Sequence, residues 1–231
     1  MKKVLFGALL ATLIAATPAR AQDDKLVHLN IGGGFTMPVS DVKDHFGTGG
    51  NFVIGLEITP KPTVGFQVEY GYNKLGGQDK TFSGVATPTD PSPVPILIES
   101  HHNMQYIDFN GVVRSHGDSP VKVYGLGGLG AYYRAVSLTT PSVGYTTICD
   151  PWWYVCYPAL VPVDQIIGDR NSWDMGINIG GGLSFQLGDA AQFYVETRWH
   201  YIWGPSFDNP VTGTSQKANG QYFPVTFGFR F

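Results

Sequence analysis

The stretch Ser172-Trp173-Asp174-Met175-Gly176-Ile177-Asn178-Ile179-Gly180-Gly181-Gly182-Leu183-Ser184-Phe185-Gln186-Leu187 decides the fold. Its odd positions read Trp, Met, Ile, Ile, Gly, Leu, Phe, Leu. Its even positions read Ser, Asp, Gly, Asn, Gly, Gly, Ser, Gln. A period of two places successive side chains on opposite faces of a strand, so one face here is apolar and the other polar. The next segment repeats the pattern. Phe193, Val195, Thr197, Trp199, Tyr201 and Trp203 share one face, and Gln192, Tyr194, Glu196, Arg198 and His200 share the other.

Working outward, the same alternation marks eight strands: 25–36, 49–59, 63–74, 102–115, 120–137, 172–187, 190–203 and 221–231. Most are about as long as the roughly 9–11 residues with which a tilted strand crosses a bilayer. Turn-forming residues join them tightly at Pro60-Lys61-Pro62, His116-Gly117-Asp118-Ser119 and Gly188-Asp189. Long connections at 37–48, 75–101, 138–171 and 204–220 alternate with those turns. This arrangement predicts an all-β, eight-stranded, antiparallel up-and-down transmembrane β-barrel with short periplasmic turns and long extracellular loops.

Composition agrees. Only 14% of the 231 residues are charged, while Gly reaches 30 residues and aromatics 13%. A coiled coil needs more Ala, Glu, Lys and Leu, and a disordered chain needs more charge and fewer aromatics. The net charge of −3 carries no basic excess, which argues against a nucleic-acid partner.

The first residues read as an address. Lys2 and Lys3 precede the apolar run Val4 to Ala16, and Ala19-Arg20-Ala21 fits a small-x-small cleavage site before Gln22. This is a secretory signal peptide over 1–21, leaving 22–231 as one barrel domain. The apolar run is too short for a spanning helix.

Alternation does not by itself say which face is outside. A soluble lipocalin-like barrel has an apolar core and a polar exterior, and a membrane barrel has the reverse. The aromatic excess, low charge and loop asymmetry favour lipid outside. The polar faces then line the lumen with Glu57, Glu69, Asp108, Asp174 and Glu196 against Arg114, Lys122, Arg134 and Arg198, together with His200. Charges in so confined a space should pair, which predicts a plug of salt bridges. A narrow channel for small or apolar solutes is the alternative, because glycines on the inward face leave room.

The chain closes with Tyr222-Phe223-Pro224-Val225-Thr226-Phe227-Gly228-Phe229-Arg230-Phe231. Alternating aromatics ending in Phe resemble the insertion signal of outer-membrane barrels, carried here by Tyr222, Phe227, Phe229 and Phe231. Thr226 stands where that pattern often has Gly. With the signal peptide, the strand count and Tyr194-Val195-Glu196-Thr197-Arg198, the chain resembles small outer-membrane barrels of the OmpA transmembrane domain, OmpX and OmpW type over residues 25–231. The resemblance implies a bacterial outer membrane of Gram-negative type, contact with outer-membrane lipid and lipopolysaccharide, and recognition of the last strand by the barrel assembly machinery. It names no surface partner and no cofactor. Because the sequence stops at the final strand, no periplasmic peptidoglycan-binding domain is expected.

Cys149 and Cys156 lie in the third long loop, around Trp152, Trp153, Tyr154 and Tyr157. Two cysteines with no second ligand pair nearby do not match a zinc site. An oxidising compartment favours a disulfide. The loop aromatics suit either a binding patch or rings packed at the lipid headgroups. The second loop is rich in proline (Pro88, Pro91, Pro93, Pro95) and reads as irregular.

Some barrels of this kind modify lipid A with a His, a Ser and an acid near the rim. The candidates here are His200, Ser206 and Asp208, or His101 and His102 with Glu99. No Gly-Xaa-Ser-Xaa-Gly elbow, HExxH or phosphate loop is present, and His200 shares the inward face with Glu196 and Arg198. Asp41 with Asp44, or Asp164 with Asp169, do not match a calcium loop. The sequence therefore predicts a non-enzymatic envelope protein with loops for surface interaction.

Overall fold

The computed structural model describes residues 26–77, 80–83, 95–117, 119–150, 154–188, 191–208 and 213–231. The predicted signal peptide, Trp152, Trp153, Pro88, Pro91 and Pro93 lie outside the described residues.

Eight long strands form one closed ring: β1 (Val27–Pro38), β2 (Phe46–Lys61), β3 (Val64–Gly77), β4 (Pro95–Arg114), β5 (Val121–Asp150), β6 (Val155–Leu187), β7 (Ala191–Trp203) and β8 (Gly220–Arg230). Each pairs antiparallel with its sequence neighbour, and β8 returns to β1 with Ile31 opposite Phe229 and Phe35 opposite Val225. Closure leaves the ring without an edge and satisfies the backbone by inter-strand bonds, which is what a bilayer requires. Gly117 (φ 132°) and Gly188 (φ 71°) stand in two of the short turns, in backbone conformations that side-chain-bearing residues rarely adopt.

The faces fall with the apolar side out. Phe66, Phe109, Val113, Leu129 and Ile179 are exposed, while Glu57, Glu69, Asp108, Glu196, Arg198 and His200 are buried. A water-soluble barrel would present the opposite surface. Aromatic rings mark two belts on the outside. Phe185, Phe193, Phe229 and Phe231 stack in sequence toward the short-turn end. Tyr133 packs on Trp173, and Trp199, Tyr201 and Trp203 stack in turn, toward the long-loop end. From Phe193 to Trp203 is about 33 Å along the strand. A tilt near 40° reduces that to about 25 Å, the height of the apolar band of an outer-membrane barrel.

The long connections depart from expectation. The described residues of the 138–171 segment, read as a loop, are strand on either side of a turn at Tyr154. Beyond Thr139, which still pairs with Glu99 of β4, β5 and β6 run on as a two-stranded arm, pairing from Thr140–Gln165 to Asp150–Val155. Pro141, Pro158, Pro162 and Gly144 break the sequence pattern there, yet proline is tolerated at an edge position whose N–H the ladder does not use. Similarly, β4 begins at Pro95 and pairs with a short strand, Lys80–Ser83, inside the predicted second loop. In the fourth loop Ser206–Asp208 pairs with Ser215–Lys217. The first loop holds a short 3-10 helix, Ser40–Asp44, whose Val42 is buried.

Candidate functional site

The lumen is the candidate site, and period-two alternation builds it, since within the barrel wall alternate residues of the eight strands point inward. Its centre is Arg198 on β7. Its guanidinium lies 2.8 Å from Glu69 on β3, 2.5 Å from Glu196 on its own strand and 3.9 Å from Asp108 on β4. Glu69 and Asp108 stand directly opposite each other in the β3–β4 ladder. Like charges in that relation repel, and Arg198, reaching from the far side of the ring, offsets the repulsion. Hydrogen bonds tie the carboxylates further. Gln67 donates to Glu69 at 3.0 Å, Tyr124 to Glu196 at 2.8 Å, and Asn178 to Asp108 at 3.0 Å.

Toward the short-turn end, Glu57 is fully buried and holds two guanidiniums, Arg114 from β4 and Arg230 from β8, the latter at 3.1 Å. Arg230 also donates to Asn30 at 2.8 Å. Lys122, half-buried, sits at the start of β5 at the same end. Toward the long-loop end, Arg134 pairs with Asp174 at 2.7 Å and donates to the Ala218 carbonyl at 2.8 Å. Above the centre the lining turns apolar. Val42, Val53, Leu75, Met104, Tyr106, Tyr132, Ile202 and Tyr222 form one buried cluster against which Phe46 packs. Gly71 faces Tyr106 so closely that the ring occupies the space a side chain there would take.

Formal charge is thus layered along the axis. The short-turn layer holds three cations to one carboxylate, the central layer one cation to three carboxylates, and the long-loop pair balances. Counting Arg230, the inward acids and bases among the described residues number five each.

Of the sequence candidates, Glu57, Glu69, Asp108, Arg114, Arg134, Asp174, Glu196, Arg198 and His200 are brought into the lumen together. The sequence reading misses Arg230 as a member, although its place between outward-facing Phe229 and Phe231 is the available signal. It also misses the inward tyrosines Tyr106, Tyr124 and Tyr132, because an aromatic in an alternating strand reads as lipid-facing, whereas Tyr194, read on the polar face, does point inward. Tyr222, grouped with Phe227, Phe229 and Phe231 in the closing motif, points inward, while the three phenylalanines point outward.

His200 is fully buried. Its Nδ1 lies 2.9 Å from the Tyr132 hydroxyl and 3.7 Å from Asp108, with the Tyr106 ring beside it. Ser206 and Asp208 are exposed in the small hairpin beyond β7 and are not among its partners. His102 is buried against Phe46 and Tyr222, whereas His101 lies on the other face near Thr139. Neither predicted His-Ser-acid or His-His-acid set is assembled. Among the described residues no three His, Cys, Asp or Glu side chains are grouped to hold a metal.

At the arm's tip Cys149 and Cys156 face each other across the ladder and form a disulfide, with Cα atoms 4.1 Å apart. That separation belongs to a non-hydrogen-bonded pair, the closer of the two kinds. Tyr154 stands exposed in the turn they close.

Residues 6–231 match the outer membrane protein beta-barrel domain family. No curated protein matches the chain. Among solved structures, Neisserial surface protein A (NspA) is similar at 14% identity, covering 89% of this chain and 96% of that one, TM-score 0.47. A major outer membrane protein from Thermus thermophilus is similar at 9% identity over 90% and 99%, TM-score 0.49. OprG of Pseudomonas aeruginosa is similar at 13% identity over 92% and 99%, TM-score 0.43.

Proposed function

This chain belongs to the outer membrane protein beta-barrel domain family, a family of the bacterial outer membrane, and from that premise we propose a non-enzymatic envelope protein with a plugged lumen and a surface-interaction role. The observation that carries the reading is Arg198. Its side chain crosses from β7 to carboxylates on β3 and β4, so the ion pairs lie in the path of any solute. The apolar cluster capped by Val42 and Phe46 is a second obstacle. Lipid and lipopolysaccharide surround the barrel. The assembly machinery reads the outward Phe227, Phe229 and Phe231 of the last strand.

The test is conductance across a planar bilayer. The expected result is no steady channel steps from the purified barrel, and a conducting wild type sinks the plug in favour of the narrow-channel alternative. The absence of catalysis is tested separately, by incubating the folded barrel with lipopolysaccharide and analysing the lipid by mass spectrometry. Lipid modified by the wild type and spared by His200→Ala overturns the non-enzymatic reading.

A further inference from the structure

The β5–β6 arm carries an apolar strip whose course the register defines. On the barrel wall the outward residues of this pair are Leu129 with Ile177, Ala131 with Met175, and Tyr133 with Trp173. One extra residue, Ile167, bulges between the pairs Leu138–Gly168 and Thr139–Ile166. It shifts β6 by one position, so above it the even residues of β6 share a face with the odd residues of β5. That face presents Ile166, then Pro141 with Asp164 opposite, then Val143, then Tyr145 with Leu160 opposite. Ile166, Val143, Tyr145 and Leu160 are exposed, Tyr145 at 87%. Apart from the single carboxylate of Asp164, the apolar outer surface therefore continues up the arm, beyond the aromatic belt at Trp173.

A two-stranded ribbon is marginal alone in water and gains stability from a third layer. The chemistry of the arm narrows what that layer is. Residues 139–166 contain no Lys, Arg or Glu, and only Asp150 and Asp164 are charged. Such a surface offers nothing to the phosphates of lipopolysaccharide. Strand addition is also disfavoured, since Pro158 and Pro162 share the ladder phase of Cys156. In that phase the backbone nitrogen points to the open edge, and proline has no N–H to donate. The arm is suited to contact through its face.

We propose that this face packs on the same face of a second copy of the chain. The membrane holds all copies with their long-loop ends on one side, so the strips of two neighbours stand at equal height. A two-fold axis along the membrane normal makes the contact self-complementary. From Thr139 to Cys149 the arm is about 34 Å long and about 10 Å wide, giving about 700 Å² buried in total. This is below the roughly 1,000 Å² of a stable interface. Continuation down the flank through Trp173 and Met175 makes up the difference, so the dimer belongs to the membrane-embedded protein. This gives the surface role above a specific partner, yet it fails independently, since conductance tests the lumen and cross-linking tests the arm.

The experiment places a photoreactive benzoylphenylalanine at Tyr145 in the full chain and irradiates intact outer membranes. The expected product is an adduct of twice the chain's mass. Val143→Asp combined with Leu160→Asp reduces that adduct at least tenfold, while Val163→Asp, on the opposite face, does not. The heat-dependent shift in SDS gel mobility confirms that each variant is folded. No adduct, or adducts only with lipopolysaccharide or a different protein, overturns the proposal. Should the double variant fail to fold, the Tyr145 cross-link still decides.

Discussion

Arg230 of the last strand and Glu57 of the second are joined by an ion pair 3.1 Å long that passes behind the first strand lying between them. The pair therefore reinforces the seam at which the barrel closes. Glu57 also holds Arg114, so neither arginine alone leaves the carboxylate unpaired. Arg114→Ala and Arg230→Ala singly should each cost about 1–3 kcal/mol, the range for a lost charged hydrogen bond. Together they strand a fully buried carboxylate, which costs about 3–5 kcal/mol on its own account. Urea unfolding in micelles should return a coupling above about 1 kcal/mol in the double-mutant cycle; simple additivity contradicts the shared-carboxylate description.

Arg198 has no such deputy. Arg198→Ala leaves Glu69, Asp108 and Glu196 buried around an empty centre, and should destabilise the barrel by about 3–5 kcal/mol. Glu196→Gln keeps two carboxylates on the guanidinium and should cost clearly less. The order of their midpoints in thermal SDS-gel shift assays tests this, and equal midpoints count against Arg198 as the organising charge.

Adjacent residues on opposite faces provide a test of which side meets lipid. Phe109 is outward and 62% exposed, and Asn110 is inward and buried. Phe109→Arg should cost about 2–4 kcal/mol near the midplane of a bilayer, although on a water-facing surface the same change is nearly neutral. Folding yields into liposomes over a urea series measure it.

Gly71 and Tyr106 share one space. Gly71→Val should drive the ring from its place beside His200, at about 1–3 kcal/mol for overpacking. Tyr106→Ala in the same chain should restore part of that loss. No rescue in the double variant means the cost lies elsewhere.

Cys149→Ser should leave the barrel's heat-shift midpoint unchanged and loosen the arm. Closing so short a loop limits the unfolded arm by about 2.5 kcal/mol in the chain-entropy account. The arm holds no Lys or Arg for trypsin but carries Tyr145 and Tyr157. Chymotrypsin should therefore cut the variant there several-fold faster, and equal rates argue that the disulfide does not constrain the arm.

The barrel itself is legible because lipid outside and packed polar groups inside impose opposite chemistry on successive residues. Trp173, Met175 and Ile179 against Asp174, Asn178 and Ser184 leave little ambiguity. Polar and apolar identity also sorts Glu57, Glu69, Asp108 and Arg198 into the lumen. It fails where a residue's chemistry disagrees with its face. Tyr106 and Tyr132 are apolar enough to read as outward, yet their hydroxyls and rings help fill the lumen's upper half. It fails again at 138–171, where the ribbon rises beyond the barrel wall and prolines interrupt the run. Nothing local in those residues announces that β5 and β6 continue past the barrel, since their pairing is with each other and not with a wall.

The layered charge of the lumen has a consequence for permeation. An anion entering from the long-loop end meets the carboxylate-rich centre, and a cation entering from the other end meets the arginine-rich layer first. Each sign is repelled by one of the two layers, as at a pair of opposed electrodes in series. Widening the bore by trimming side chains would thus admit neutral solutes well before it admitted ions. A variant that swells a neutral sugar's flux can remain electrically silent, and current alone would misjudge how open it is.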